Sequence, residues 1–435
     1  YNGYKFGADF FVHEWHTVGF LLEGAQNTIQ NTNTSYANIT STSTGAPVSN
    51  LDALSDNDGS RENLHSNINY RFDNLKGVTW NVDADYGRYD NFSNAYQPNT
   101  YYDPVADTVI FESIYASEAP TYIQLYTANI DHERSLWNGK LGAGIKYSYV
   151  ITDNTYRFYN VVNNVYETDP ERSNQFVYDE NVNAAYIHYA FAIKKINISL
   201  GVRGEQTRSA GKLTSTQDTG NDEVARDYFD LFPSGGIAYN LNPQNAFRLN
   251  YSRRIQRPNY QDLNPFEYKI NELSYYKGNP FLQPQYTQSL QLSHTYHYSL
   301  TTTLRYSYTT DFFSNVTDTA EGGASYLQTL NIGTQQVVGI NVSYPLHLTK
   351  WWSTYTNAGV VTLYNEGVIA GDREISLQRV TFNAYHQSAF TVKENLSFEL
   401  SGWFNSPSVW GAVFQTDANW SVDVGAQYTL FKKRG

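Results

Sequence analysis

Apolar and polar positions alternate with a period of two along most of the chain. Between Asn63 and Phe72, Leu64, Ser66, Ile68, Tyr70 and Phe72 share one parity and His65, Asn67, Asn69 and Arg71 the other. Successive strand residues point to opposite faces, so this run predicts a strand with one wet face. After a turn at Asp73 to Lys76 the pattern repeats, with Val78, Trp80, Val82, Ala84 and Tyr86 set against Thr79, Asn81, Asp83 and Asp85. At roughly 3.3 Å per residue and a tilt near 40°, Val78 to Tyr86 rises about 20 Å along a barrel axis, close to the apolar band of a transmembrane barrel. Aromatic pairs near strand ends (Tyr86 and Tyr89, Tyr147 and Tyr149, Tyr306 and Tyr308) stand where interfacial girdles need them.

The connections predicted between such runs alternate in length. Short turns fall near His13 to His16, Asp73 to Lys76, Asn138-Gly139, Ile193 to Lys195, Leu241 to Asn245, His297 to Ser299, Leu348 to Lys350, Val392 to Asn395 and Lys432 to Gly435. Asn138-Gly139 reads as a two-residue hairpin loop with positive φ at both positions. Long polar loops are expected at Ala25 to Arg61, Asp90 to Pro120, Asp153 to Ser173, Ser209 to Asp227, Pro258 to Gln283, Asp311 to Ala324, Asn365 to Asp372 and Asn405 to Phe414. Short turns on one side and long loops on the other mark the periplasmic and extracellular faces of an outer-membrane barrel. The expectation is an all-β chain, a large antiparallel transmembrane β-barrel with about seventeen strands in one domain over 1–435, the last strand being Ala418 to Phe431. An odd count ending in a turn leaves edges unpaired, and unpaired backbone facing lipid is costly. Strands are therefore expected to be missing at both ends. A soluble jelly roll, propeller or adhesin is the alternative, but it would turn its apolar face to a core without this alternation of loop lengths.

Composition sharpens this picture. The chain carries 38 Tyr, 23 Phe and 8 Trp at a mean hydropathy of −0.53, and no stretch is an uninterrupted apolar helix span. Such a mixture suits a wall between lipid and water. A net charge of −12 leaves nothing to replace the counterions of a nucleic acid; basic residues are scattered apart from Arg253-Arg254 and Lys432 to Arg434. With no Cys there is neither a disulfide framework nor a thiolate metal site. The absence of Met, even at position 1, and of a signal peptide leads us to expect a piece of a longer product.

Several segments resemble the outer-membrane β-barrel family of TonB-dependent receptors of Bacteroidetes. Tyr4-Lys5-Phe6-Gly7-Ala8-Asp9-Phe10-Phe11 is similar to its early strands, and Asn81-Val82-Asp83-Ala84-Asp85-Tyr86-Gly87-Arg88-Tyr89 to a recurrent one. The most specific stretch runs from Tyr251-Ser252-Arg253-Arg254-Ile255-Gln256-Arg257-Pro258 through Asn259-Tyr260-Gln261-Asp262-Leu263-Asn264-Pro265-Phe266, followed by Gly278-Asn279-Pro280-Phe281-Leu282-Gln283-Pro284-Gln285-Tyr286. The resemblance covers nearly the whole chain. It implies a 22-stranded barrel of which this chain supplies about strands four to twenty, with a plug domain upstream, absent here, and transport powered through the TonB complex. Outer-membrane lipid and lipopolysaccharide, the plug, and a surface lipoprotein or other complex subunit are the partners it brings to mind.

Two readings of the central motif stay open. Arg253, Arg257, Tyr260 and Asp262 line the upper lumen and touch substrate or plug, or the arginines pair with lumen carboxylates such as Asp83, Asp85 or Glu205 and hold the wall together. The second is favoured, because motifs shared by receptors with different cargo are poor carriers of specificity. Tyr101, Tyr102, Tyr275 and Tyr276 are candidate loop aromatics for stacking on sugars or chelator rings. Asp52, Asp56, Asp58 and Glu62 around Gly59 do not fit calcium-loop spacing and read as solvated loop charge. His13-Glu14-Trp15-His16 has its histidines three apart in a turn, where a zinc protease motif needs four on a helix. No catalytic residues, metal ligands or cofactor can be nominated. Three roles fit such a barrel: an importer of a scarce solute such as a siderophore, peptide or oligosaccharide, a non-transporting anchor of a surface complex, or a passive pore.

Overall fold

The computed structural model describes residues 1–216, 222–264, 267–271, 273–320, 324–369 and 373–429. Its strands are, in chain order, β1 (Asn2–His13), β2 (His16–Thr40), β3 (Pro47–Asp73), β4 (Val78–Tyr102), β5 (Val109–Glu118), β6 (Thr121–Leu136), β7 (Gly139–Val162), β8 (Val165–Thr168), β9 (Asn174–Ile193), β10 (Ile196–Ser215), β11 (Glu223–Asn242) and β12 (Asn245–Gln256). After the single helical turn α1 (Tyr260–Leu263) come β13 (Glu267–Asn271), β14 (Ser274–Lys277), β15 (Gln285–Tyr296), β16 (Leu300–Thr319), β17 (Ser325–His347), β18 (Trp352–Ile369), β19 (Arg373–Lys393), β20 (Leu396–Asn405), β21 (Ser408–Trp410), β22 (Phe414–Thr416) and β23 (Asn419–Tyr428). Short strands β5, β8, β13, β14, β21 and β22 are additions. The other seventeen form one antiparallel wall, each pairing with the next. Among the described residues β1 pairs only with β2, and β23 only with β20.

Register aligns the apolar parity from strand to strand. Ile237, Leu249, Leu292, Leu304, Ile340, Val360 and Phe382 stand directly opposite one another across seven successive strands. All are exposed, as are Ile68 at 65% and Phe229 at 66%. Thr152, Thr207 and Asn365 are at 0%. An exposed apolar face with polar groups turned inward inverts a soluble fold and is what a bilayer solvent demands. A barrel wall this apolar outside places its strands in a bilayer.

Connections on one side are tight, including Glu14-Trp15, Lys194-Lys195 and Glu394-Asn395. The expected turn at Lys432 to Gly435 and the basic cluster Lys432 to Arg434 lie outside the described residues, as do Pro265 and Phe266. At the third hairpin the turn is Trp137-Asn138 instead of Asn138-Gly139, because Leu136 already pairs with Gly139 and Trp137 takes φ 50°. This phase keeps His132 on the outward parity, stacked on Trp80 at 4.1 Å; a one-residue slip would turn every side chain to the other face.

The long polar segments are corrected more deeply. Ala25 to Arg61 is almost all ladder, paired from Gln26–Glu62 out to Ile39–Ser49, and at 25 and 27 residues β2 and β3 are about 80 Å of strand, far longer than the membrane. Asp52, Asp56 and Asp58 are consequently strand residues. Most of Asp153 to Ser173, Ser209 to Asp227, Asp311 to Ala324 and Asn365 to Asp372 likewise continues the adjoining strands. Once a strand leaves lipid both of its faces are wet, so alternation disappears while cross-strand hydrogen bonding continues.

Apolar cores gather on this outer, long-connection side. Tyr115 of β5, with Tyr156, Phe158, Phe176, Tyr178 and Leu213 of the wall, encloses Leu263 and Leu282 of the segment 257–284. Leu51, Ala53 and Tyr101 receive Leu273 of that same segment, and β14 pairs in parallel with β17. One segment reaches β3, β7, β9 and β17 because the sheet curls around it.

Candidate functional site

The site is built around the 257–284 segment, which leaves the wall at β12 and returns at β15. Its departure follows from Pro233. Proline brings no N–H to the ladder, and β11 and β12 pair no further than Ser234–Ser252. Above that level Arg253 fills the split, donating to the Leu231 carbonyl at 2.5 Å and to Asp230 Oδ1 at 3.2 Å. Its guanidinium lies 4.6 Å from the Tyr286 ring, and Tyr286 donates its hydroxyl to Asp230 Oδ2 at 2.7 Å. Arg253 is thus committed to the wall.

Arg257 points into the next layer. Its Nη2 donates to Glu205 Oε2 at 2.9 Å and to the fully buried Thr207 hydroxyl at 2.7 Å. Its Nε stands 3.9 Å from Glu180 Oε2, and Arg203 holds the other oxygen of Glu205 at 2.6 Å. Strands β9 and β10 place Glu180, Glu205 and Thr207 on the inward parity opposite this arginine. Tyr260 packs on Tyr178 at 5.1 Å; burial, with the charge of Glu180, pushes its phenol up to about 12.

Asp262 and Gly278 shape the interior of the segment. The Asn279 N–H donates to the Asp262 carbonyl at 2.6 Å. A Cβ on Gly278 would lie 1.7 Å from the Asn264 carbonyl oxygen, so the close approach requires glycine. Gln328 donates to the Gly278 carbonyl at 2.8 Å, and Arg226 to that of Pro280 at 2.5 Å. Burial raises the Asp262 carboxyl above its ordinary range, partly offset by hydrogen bonds from Asn259 and Thr329.

Between this segment and the opposite wall lies a cavity of about 790 Å³, lined by Asn31, Arg61, Gln97, Asp262, Tyr276 and Lys277 among others. Arg61, Lys277 and Asp262 bring charge of both signs to it, and its amides and hydroxyls offer hydrogen bonds in many directions. This is a pocket for a polar solute of mixed character.

The motif residues Arg257, Tyr260 and Asp262 come together at this site, with Arg253 beside it in the wall. Among the described residues Asp83 and Asp85 do not pair with arginine. Asn129 donates to Asp83 at 3.2 Å, and Asn67 and Thr127 donate to Asp85 at 2.7 and 2.9 Å. His65 bridges Asp85 at 3.3 Å and Glu23 at 3.4 Å. Both aspartates lie on β4, whereas Arg253 and Arg257 meet acids of β9, β10 and β11. Tyr101 and Tyr102 end strand β4 and are not loop residues; Tyr101 is buried and stacks on Phe111 at 4.2 Å. Tyr275 is buried against Tyr326 at 5.4 Å, which leaves Tyr276 as the candidate aromatic that lines the cavity. Glu180, Thr207, Arg61 and Lys277 were not singled out from sequence. Parity marks the first two as inward, but nothing local marks the others. His13 and His16 flank a hairpin turn, His16 being bonded to the Tyr70 hydroxyl at 2.7 Å.

Comparison with solved structures gives the same architecture. The copper transporter OprC aligns over 99% of this chain and 71% of its own, at 13% identity and a TM-score of 0.55. The ferric yersiniabactin uptake receptor FyuA from Yersinia pestis aligns over 99% and 71%, at 10% identity and 0.53. The siderophore receptor PirA from Pseudomonas aeruginosa aligns over 99% and 74%, at 10% identity and 0.50. At these identities the likeness is one of fold. No curated protein sequence matches the chain. The profile of the outer membrane protein beta-barrel family matches residues 70–435, most of the chain, and with the inverted wall this shows that the protein belongs to that family.

Proposed function

We propose that this barrel is the wall of an outer-membrane importer that takes up a scarce solute such as a siderophore, peptide or oligosaccharide. One observation carries the reading: the 257–284 segment crosses the lumen, is tied to distant sectors of the wall, and leaves a polar cavity of about 790 Å³ between itself and the wall. Such a crossing narrows the lumen and gives a receptor a polar pocket in which solute is held before passage. The unpaired edges of β1 and β23 support completion of the ring by further strands, up to the 22 of the receptors of Bacteroidetes that the motifs resemble. On this reading a plug fills the lower lumen, the TonB complex supplies the energy, and a surface lipoprotein caps the mouth. The function is carriage, not catalysis.

The test is uptake by cells with and without the full-length gene, using a ferric siderophore, a tripeptide and maltohexaose, each radiolabelled, in the presence and absence of a protonophore. Protonophore-sensitive accumulation of one of them, lost on deletion, is expected. Unchanged accumulation of all three would move the protein to the anchor class.

A further inference from the structure

A second site lies on the lumen face below the ion-pair cluster. Register builds a grid there from β12, β15 and β16, whose inward rows are Arg254, Thr287 and Thr309, then Ser252, Ser289 and Ser307, then Asn250, Gln291 and Arg305. Arg254 and Arg305 both line one cavity of about 660 Å³, given room by Gly201 and hydroxyls from Ser199 and Ser234. Strand spacing and rise set their Cα atoms about 16 Å apart, a span that two long side chains share across one small solute.

The charge of this sector is what marks it. The chain has a net charge of −12, yet the rows above contain two arginines and no carboxylate, and Arg248 lies on the same parity. In the layer above, Arg203 and Arg257 are both matched with Glu205. The acids of β4 and β6, Asp83, Asp85, Asp131 and Glu133, stand on a separate sector of the wall. Arg254 and Arg305 have no ion pair or hydrogen bond among the described residues. Guanidinium groups surrounded by neutral hydroxyl and amide donors form a receptor for oxyanions, since each presents a planar fork to a carboxylate or phosphate.

We propose that this basin binds a small solute carrying two or more carboxylates, as a lumenal station on the path of an anionic cargo. The proposal rests on the importer reading and narrows its cargo. A neutral solute would leave the charge of both guanidinium groups uncompensated.

The test is equilibrium binding of citrate, with the neutral sugar raffinose as a size control, to the purified full-length protein in detergent. The native protein is compared with Arg254→Gln/Arg305→Gln and with Arg134→Gln, whose exposed side chain lies on the lipid-facing parity. Citrate is expected to bind at least about tenfold more weakly to the double variant, to weaken with added salt, and to be unaffected in Arg134→Gln, with raffinose bound by none. Equal citrate affinity in the double variant overturns the proposal. No citrate binding by the native protein also overturns it, and a lower melting temperature of the double variant would then assign the arginines to carboxylates of the protein itself. Binding needs no energised uptake, so a protein that binds citrate through these arginines and imports nothing refutes the importer reading and leaves the site.

Discussion

Removal of the Arg257 guanidinium strands two carboxylates, Glu205 and Glu180, and the buried Thr207 hydroxyl in a layer that little water reaches. Breaking a largely buried pair from one side costs about 3–5 kcal/mol. Arg257→Ala is therefore expected to lower stability by about 3 kcal/mol in urea titrations followed by tryptophan fluorescence, and Arg257→Lys by less, since charge remains without the fork. Asp262 behaves in the opposite sense. Its folded-state carboxyl is raised, so the folded state favours the protonated form, and stability falls as pH rises from the unfolded value through the folded one. Asp262→Asn should abolish that decline, seen as a flatter melting temperature across the acid range. The sequence singled out Arg257 and named Glu205 among three acids it might meet. The choice among them was made by register, across 52 positions of chain.

At the scale of elements, two leucines and one glycine dock the 257–284 segment alongside its polar ties to Arg226 and Gln328 and that of Arg257 to Glu205. Leu282 is at 0% exposure and Leu263 at 3% within an aromatic cluster, and a large-to-small change at such a position costs about 2–5 kcal/mol. Leu282→Ala and Gly278→Ala are both expected to undock the segment without unfolding the wall. Hydrogen exchange would show it as lost protection confined to 257–284 with β15 and β16 unchanged, and uniform loss along the barrel would refute it. The lipid-spanning strands were legible because bilayer and water impose opposite chemistry on alternate residues. Their outer extensions were not: Asn31 and Asn57 face each other in β2 and β3 with no polarity contrast to report it.

For the whole molecule, the apolar belt through Leu304, Ile340 and Val360 is the contact with lipid. An arginine near the bilayer midplane costs about 2–4 kcal/mol, so Ile340→Arg should reduce the folded fraction on heat-modified electrophoresis after refolding into vesicles. Asn341→Arg, one residue on and facing the lumen, loses only the mutual amide bonds with Asn357 and should cost about 1 kcal/mol. Equal damage from the two substitutions would contradict the assignment of faces.

The alternation of residue types fixed the strand period, the lipid-facing parity, the approximate number of wall strands and the outer-membrane setting, because each is dictated locally by the solvent on either side of one strand. Only the folded chain decided which acids meet Arg257, that Arg253 seals a gap left by Pro233, that Tyr101 and Tyr275 are buried while Tyr276 lines a cavity, and that Arg254 and Arg305 share one basin. Those outcomes depend on the register between strands and on the curl of the sheet, which bring together residues that no local pattern relates.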